Sequence, residues 1–180
     1  MLRWLLTVVF AVVAASGALA DGFSDAEKQA LISEIARINS VAKSGDPVAA
    51  FDLTTPELLE RAAKDAGISP EEYRAQSIAS FTEMIAIASR FEVFVDADRI
   101  RYLKTRSGMP YALIPQTSTV VVGAENGVRM HTHILAFRRG GDWRLLAVVS
   151  NELAATAFEV YPELKGIEIP EMKAKTFVVD

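Results

Sequence analysis

The two histidines of the chain, His131 and His133, are the side chains best suited to proton transfer or metal binding. Residues two apart in a strand point to the same side and lie about 7 Å apart, so both imidazole rings would share one face. A catalytic zinc ion takes three protein ligands, and the sequence offers no identifiable third ligand. Arg129, on the same face, would repel a cation. No metal site is therefore predicted, and a histidine acting as general acid or base is the alternative to a structural role.

Two shorter patterns could also carry chemistry, but both have simpler explanations. Ser40 and Lys43 have the Ser-x-x-Lys spacing of penicillin-recognising enzymes, yet the chain is too short for that family and lacks its companion motifs. Asp96-Ala97-Asp98 could contact a hard cation, but the other ligands of a calcium loop are missing, so the run predicts a turn. The chain contains no cysteine, which excludes thiol chemistry and disulfides. No cofactor is predicted.

Three apolar-rich runs within residues 111–150 predict consecutive antiparallel strands around the histidines. Gly140-Gly141 fits a two-residue turn, which places His133 opposite Val148 and His131 opposite Ser150. The polar end of this face then carries the candidate ligand-binding residues, which are Arg129, His131, His133, Ser150 and the neighbouring Asn151. Here Arg129 would attract a carboxylate or similar anion, and a histidine would donate a hydrogen bond to it.

The register of the earlier hairpin stays open. A tight Asn126-Gly127 turn and a longer loop over residues 123–127 differ in parity, and they place Thr117 and Ser118 on opposite faces. The sequence therefore does not decide which of these two side chains lies beside the histidines.

Capping patterns predict helices before the sheet. Ser24-Asp25-Ala26-Glu27 is a capping box that starts a helix at Asp25, and Gly45 ends it. Asp46-Pro47 and Thr55-Pro56 each combine an N-cap with proline at the first helical position, and Gly67 ends the second of these short helices.

A longer helix is predicted from residue 70 to about residue 89, after the Ser69 cap. Its buried stripe is predicted to be Ile78, Phe81, Ile85 and Ala88. Short strands should follow over residues 91–95 and 99–104. Asn151 is predicted to cap a last helix that runs through residues 152–161, and the tail, residues 167–180, is expected to pack along the sheet as an extended segment.

Length and composition indicate one globular domain. The chain has 180 residues, of which 51% are hydrophobic and 23% charged, and it has no linker, repeat or low-complexity stretch. Helices come first and strands second, so residues 21–180 are predicted to form a single α+β domain. The formal net charge is -4, and no basic cluster matches the phosphates of a nucleic acid. Nucleic acid is therefore not an expected partner.

The first twenty residues have the pattern of an export signal. Arg3 precedes an apolar run over residues 4–13, and Ala18-Leu19-Ala20 provides the small residues of a cleavage site before Asp21. The run is shorter than the roughly 20 residues that span a bilayer. Residues 1–20 are thus predicted to be a cleaved signal peptide. The protein is expected to contact the membrane only during export, and the mature protein is expected to be periplasmic or secreted.

Helices that lead into a curved antiparallel meander, with Gly-Gly-Asp-Trp-Arg-Leu-Leu over residues 140–146, resemble the nuclear transport factor two-like superfamily. The resemblance covers about residues 24–150 and implies a cone-like fold, in which N-terminal helices pack on a curved antiparallel sheet and leave a pocket. Residues 112–115 and the Trp143 strand are also similar to small secreted bacterial proteins of uncharacterised role. Steroid isomerases of the cone fold use an aspartate base and a tyrosine, but no position here matches their motifs.

Three classes of function fit these features. The first is an exported, non-catalytic binding or accessory protein that uses a groove between helices and sheet. The second is a small pocket enzyme with a histidine general base. The third is a protein-interaction module of the inhibitor or immunity type, for which the histidine face could equally be a homodimer contact. The missing catalytic constellation favours the first and third, and whether the partner is a small molecule or a protein is left open.

Overall fold

The computed structural model describes residues 22–123, 126–148 and 150–178, without the side chain of Asn151. The predicted signal peptide, residues 1–20, lies outside this part of the chain. Within it, no helix is both long and apolar enough to cross a membrane.

The described residues form five α-helices and a six-stranded antiparallel sheet. The helices are α1 Asp25–Ser44, α2 Pro47–Phe51, α3 Pro56–Ala66, α4 Pro70–Ile87 and α5 Asn151–Val160. The strands are β1 Ala88–Val95, β2 Arg101–Lys104, β3 Pro110–Val122, β4 Asn126–Arg139, β5 Asp142–Val148 and β6 Lys173–Val178. Helices lie on the N-terminal side of a strongly curled half-barrel, so the predicted α+β, cone-like fold class is confirmed.

The predicted side-chain caps of α1, α2 and α4 are confirmed, whereas Thr55 stands at the N-cap of α3 without a side-chain cap hydrogen bond. The Ser24 hydroxyl accepts a hydrogen bond from the Glu27 backbone N–H at 3.3 Å, and the Glu27 carboxylate accepts one from the Ser24 N–H at 2.8 Å. Gly45 ends α1 in the left-handed region, with φ of 66°. Asp46 caps α2 through hydrogen bonds from the first-turn amides, the closer at 2.9 Å. The sequence therefore sets where the first helices begin and end.

The prediction for α4 is wrong at its C-terminal end and in its burial. The helix ends at Ile87 because Ala88 already pairs with Val122 in the sheet. Ile78, Phe81 and Ile85 are only half-buried, and no described residue of α4 is fully buried. Among the described residues, α4 packs mainly on α2 and α3 and its main contact with the sheet is with β1, so the sheet covers its apolar stripe only in part.

The hairpin between β4 and β5 has the predicted two-residue turn. Arg139 pairs with Asp142, and His133 pairs with Val148 as expected. Gly140 and Gly141 have φ of 62° and 95°, the positive values that such a turn requires at both central positions. The register of this hairpin is confirmed.

The open register between β3 and β4 is now settled. Val122 pairs with Asn126, so residues 123–125 connect the strands, and Thr117 lies opposite His131. The connection is shorter than the predicted loop over residues 123–127 but has the same parity, and the tight Asn126-Gly127 turn is wrong. Thr117 therefore shares the histidine face and Ser118 does not.

The predicted pairing of His131 with Ser150 is wrong. Strand β5 ends at Val148, and β6 then takes its place along the same side of β4, with Lys173 opposite His131. Ser150 is instead the N-cap of α5, and its hydroxyl accepts a hydrogen bond from the Leu153 N–H at 3.1 Å. Asn151, predicted as that cap, is the first residue of the helix. The extended tail that was expected over residues 167–180 is confirmed for residues 173–178, which form β6.

The sheet has an apolar core on each face. On one face, α1 places the fully buried Leu31 and Ile35 against residues of β3 and β4 that include Ile114 and Ile134. Burying such a side chain stabilises the fold by about 1.5 to 3 kcal/mol. On the other face, α5 and the turn after it cover the apolar half of the histidine face, where Tyr161 packs edge-to-face on Phe137 with ring centroids 5.0 Å apart. The polar half of that face is left uncovered.

Candidate functional site

A half-open cavity of about 650 Å³ lies between the helices and the sheet. Its volume falls within the roughly 300 to 1,000 Å³ of small-ligand sites in proteins. Most of its walls are apolar side chains, which come from all of α1 to α4, from the α2–α3 connection and from β5. We call this space the groove. The pocket expected between helices and sheet thus has a counterpart in the structure.

The groove runs along the outer edge of β5. All five consecutive residues from Trp143 to Ala147 line it, although neighbouring side chains in a strand point to opposite faces. Consecutive residues can share one cavity only when the cavity follows the strand edge. Strand β5 pairs with β4 along its other side, and within the described chain no strand pairs with this outer edge. The edge of the sheet is therefore part of the groove wall.

The turn geometry shows which backbone groups point into the groove. A two-residue turn makes Arg139 and Asp142 a hydrogen-bonded pair, and bonded and non-bonded pairs alternate from there. Leu145 and Ala147 occupy non-bonded positions relative to β4. Their N–H and C=O groups consequently point away from β4, towards the groove, where they form a short array of two donors and two acceptors.

The helical wall of the groove is apolar and incompletely filled. Ile38 and Val41 of α1 and Leu53 of the α2–α3 connection line it, and all three are half-buried. At one end Phe81 packs edge-to-face against Phe91, with ring centroids 5.5 Å apart. Half-buried apolar side chains around a cavity of this size form a surface that a ligand could remove from water.

The charged side chains of the groove are already paired within the chain. These pairs are Glu34 with Arg37 at 2.8 Å, Asp52 with Arg74 at 2.6 Å, and Arg144 with Glu57 at 3.4 Å. A charged ligand would have to compete with these partners, whereas an uncharged ligand would not. The electrostatics of the groove therefore favour an uncharged ligand.

A buried network fixes the position of Arg144. The hydroxyl of the fully buried Tyr161 lies 3.0 Å from Thr55 Oγ1 and donates to Glu57 Oε2 at 3.1 Å. Burial is the largest effect on the pKa of Tyr161 and raises it. Burial also opposes ionisation of Glu57, but its backbone amide, Tyr161 and Arg144 outweigh this effect and lower its pKa. Glu57 thus stays ionised and holds the guanidinium of Arg144 at the groove wall.

Gln116 adds a polar group to the apolar wall. Its side chain lines the groove, and its Nε2 donates to Ser118 Oγ at 3.3 Å. Thr132 lies directly opposite Gln116, and its buried hydroxyl has no hydrogen-bond partner among the described residues. Thr132 does not line the groove, so Gln116 alone of this pair offers its side chain to a ligand.

Arg129, His131 and His133 lie together on the other face of the sheet. Alternation along β4 places them opposite to Ile134, which lines the groove. Arg129 and His131 are exposed. Arg129 stacks on the Phe177 ring, with 5.3 Å from Cζ to the ring centroid, and His131 Nδ1 lies 3.2 Å from Thr117 Oγ1. These contacts describe a solvated surface rather than a pocket.

His133 is half-buried at the boundary between the covered and uncovered halves of this face. Its Nδ1 is buried and has no hydrogen-bond partner in the described chain. Burial, followed by the nearby charge of Arg101, lowers the pKa of His133 below its ordinary value. The folded protein thus favours the neutral imidazole.

The remaining predicted site residues do not join this group. The Ser150 hydroxyl caps α5, and the side chain of Asn151 lies outside the described part of the structure. The position opposite His131 belongs to Lys173, whose positive charge adds to that of Arg129. Among the described residues, no group of three histidines, cysteines, aspartates or glutamates could hold a metal ion.

The residues that line the groove were not predicted from the sequence as a site. One signal was available, because β5 is apolar on both of its faces: Trp143, Leu145 and Ala147 alternate with Leu146 and Val148. A strand at a sheet edge needs an apolar side chain on both faces only if something covers both. In this protein the helices cover the Trp143 face of β5 only in part, and the groove is the space that remains between them and the strand.

Comparison of the chain with protein-family models, curated proteins and solved structures finds no match. The cone-like α+β arrangement therefore rests on the geometry of the elements alone. The resemblance to the nuclear transport factor two-like superfamily stays a prediction.

Proposed function

We propose that the protein is an exported, non-catalytic binding or accessory protein that holds an apolar ligand in the groove. The observation that supports this most directly is the 650 Å³ cavity with half-buried apolar walls. Its charged residues are engaged in ion pairs, so the groove is suited to binding more than to proton or group transfer. Both histidines lie on the other face of the sheet. A histidine base would therefore not contact a ligand that is bound beside Ile134.

The test is binding of the uncharged fluorescent dye N-phenyl-1-naphthylamine, followed by its emission. Ala42 lines the groove on α1, and Ala36 is exposed on the same helix. Ala42→Trp would fill part of the groove, whereas Ala36→Trp places the same side chain in solvent. The expected result is that wild type and Ala36→Trp bind the dye alike, and that Ala42→Trp weakens binding at least tenfold while keeping the wild-type circular dichroism spectrum. Equal binding by both variants, or no binding by wild type, would reject the proposal.

Export rests on the sequence pattern of residues 1–20 and has its own test. Intact-mass analysis of protein recovered from the periplasm should show the loss of these residues, with Asp21 at the new N-terminus. A full-length mass in the membrane fraction would contradict export of a cleaved protein.

A further inference from the structure

We infer that the natural ligand of the groove is an uncharged stretch of polypeptide in extended conformation, which adds to the outer edge of β5 as a further antiparallel or parallel strand. This inference rests on the proposed function and names the class of its ligand. It follows from three properties of the groove: its backbone hydrogen-bonding groups, its alternating apolar wall and its internally paired charges.

The outer edge of β5 offers backbone hydrogen-bonding groups to a ligand. Leu145 and Ala147 direct their N–H and C=O groups into the groove, two residues apart. That spacing, about 7 Å, is the repeat of any β-strand. A small apolar molecule would take water from these four groups without replacing its hydrogen bonds, which costs free energy for each. An extended peptide would pair them and cover the apolar wall at the same time, as in strand addition to an exposed sheet edge.

The side chains of β5 fit the same ligand. Trp143, Leu145 and Ala147 share one face, and Ile38 and Val41 of α1 also line the groove. Alternate side chains of an added strand would therefore meet an apolar surface, while the side chains between them would point to the opposite face. The expected ligand has apolar residues at every second position.

The outer edge of β5 differs in charge from the edge that β6 forms. The charged groups that line the groove are neutralised within the chain, so the groove is complementary to an uncharged segment. Strand β6 also lies at an edge, but it carries the exposed Lys173 and Lys175. Lysines on an edge strand oppose pairing with another chain. Strand β5 has one cation, Arg144, and Glu57 holds it.

Ala147→Pro tests the inference most sharply. Proline removes the N–H of residue 147, which points into the groove, and leaves the hydrogen bonds between β5 and β4 intact. Ala147→Val is the matched control, because it adds a similar volume and keeps the N–H. The ligands are capped, uncharged pentapeptides whose alternate residues are Val, Leu or Phe, each also made with N-methyl groups on all of its amides, because methyl groups on every second amide would leave the donors of one strand edge intact. Dye binding by both variants reports that the groove is still folded and open.

The expected result is that wild type and Ala147→Val bind at least one unmethylated peptide and displace the dye. Ala147→Pro should lose at least tenfold in peptide affinity while still binding the dye, and N-methylation should cause a similar loss with wild type. Equal peptide affinity for Ala147→Pro and Ala147→Val, or for methylated and unmethylated peptides, would overturn the inference. If Ala147→Pro loses dye binding as well, the N-methyl comparison on wild type decides.

The two proposals fail in different ways. Dye binding that Ala42→Trp blocks, together with no binding of any peptide, would overturn strand addition and leave the proposed function standing. Absence of both dye and peptide binding would overturn both.

Discussion

Replacing Phe23 by alanine should cost the protein a large part of its stability, although the residue lies at the very start of the described chain. Phe23 is 1% exposed and packs against the rings of Tyr102 and Trp143, with centroids 5.7 and 5.2 Å away. Truncating a buried phenylalanine costs about 3 to 5 kcal/mol. Phe23 precedes α1 and lies outside any helix or strand, where the backbone can relax more than in a closed core, so we expect about 3 kcal/mol. For a domain of this size that corresponds to a fall in melting temperature of roughly 6 to 12 °C.

Phe94→Ala is the matched control, because Phe94 is 57% exposed. A surface substitution of this kind should change the free energy of unfolding by about 0.5 kcal/mol or less. Both variants are compared by thermal and urea denaturation followed by far-ultraviolet circular dichroism. If the two melting temperatures lie within 2 °C of each other, the contacts of Phe23 with Tyr102 and Trp143 do not supply the expected stability.

Two further predictions follow from the burial of particular side chains. Because the folded pKa of His133 lies below the ordinary 6.5, the unfolded state takes up a proton first as the pH falls. Wild type should therefore lose stability below pH 6.5 down to the folded pKa, and His133→Asn should lose less. An identical pH dependence of melting temperature for the two proteins would contradict this. Phe81→Ala should lower the free energy of unfolding by only about 1 to 2 kcal/mol, because Phe81 already lines the open groove. This is less than the loss from a truncation in a closed core. A loss at or above about 3 kcal/mol in urea denaturation would show that the groove is closed at Phe81.

Local signals in the sequence were sufficient for much of the fold. The capping box at Ser24 and the Asp46-Pro47 pair mark helix starts through hydrogen bonds between near neighbours, so no tertiary information is needed. The glycines at 140 and 141 fix the turn, and the turn fixes the register of β5 against β4. The same alternation correctly placed Arg129, His131 and His133 on one face.

The errors arose where distant parts of the chain compete for the same place. Nothing near His131 in the sequence shows that β6 will displace β5 from its side, since this depends on a tail more than forty residues away. Ala88 fits both a helix stripe and a strand, and pairing with Val122 decides for the strand. The groove was anticipated as a pocket but not by its residues, because half-buried and buried apolar side chains look the same in a sequence.

Chemical-shift mapping of the backbone amides with N-phenyl-1-naphthylamine tests the central claim most directly. We expect the largest changes at Leu145 and Ala147 of β5, and at Ala42 across the groove. Changes concentrated at Arg129 and His131, on the other face of the sheet, would contradict the groove as the binding site and return the histidine face to first place.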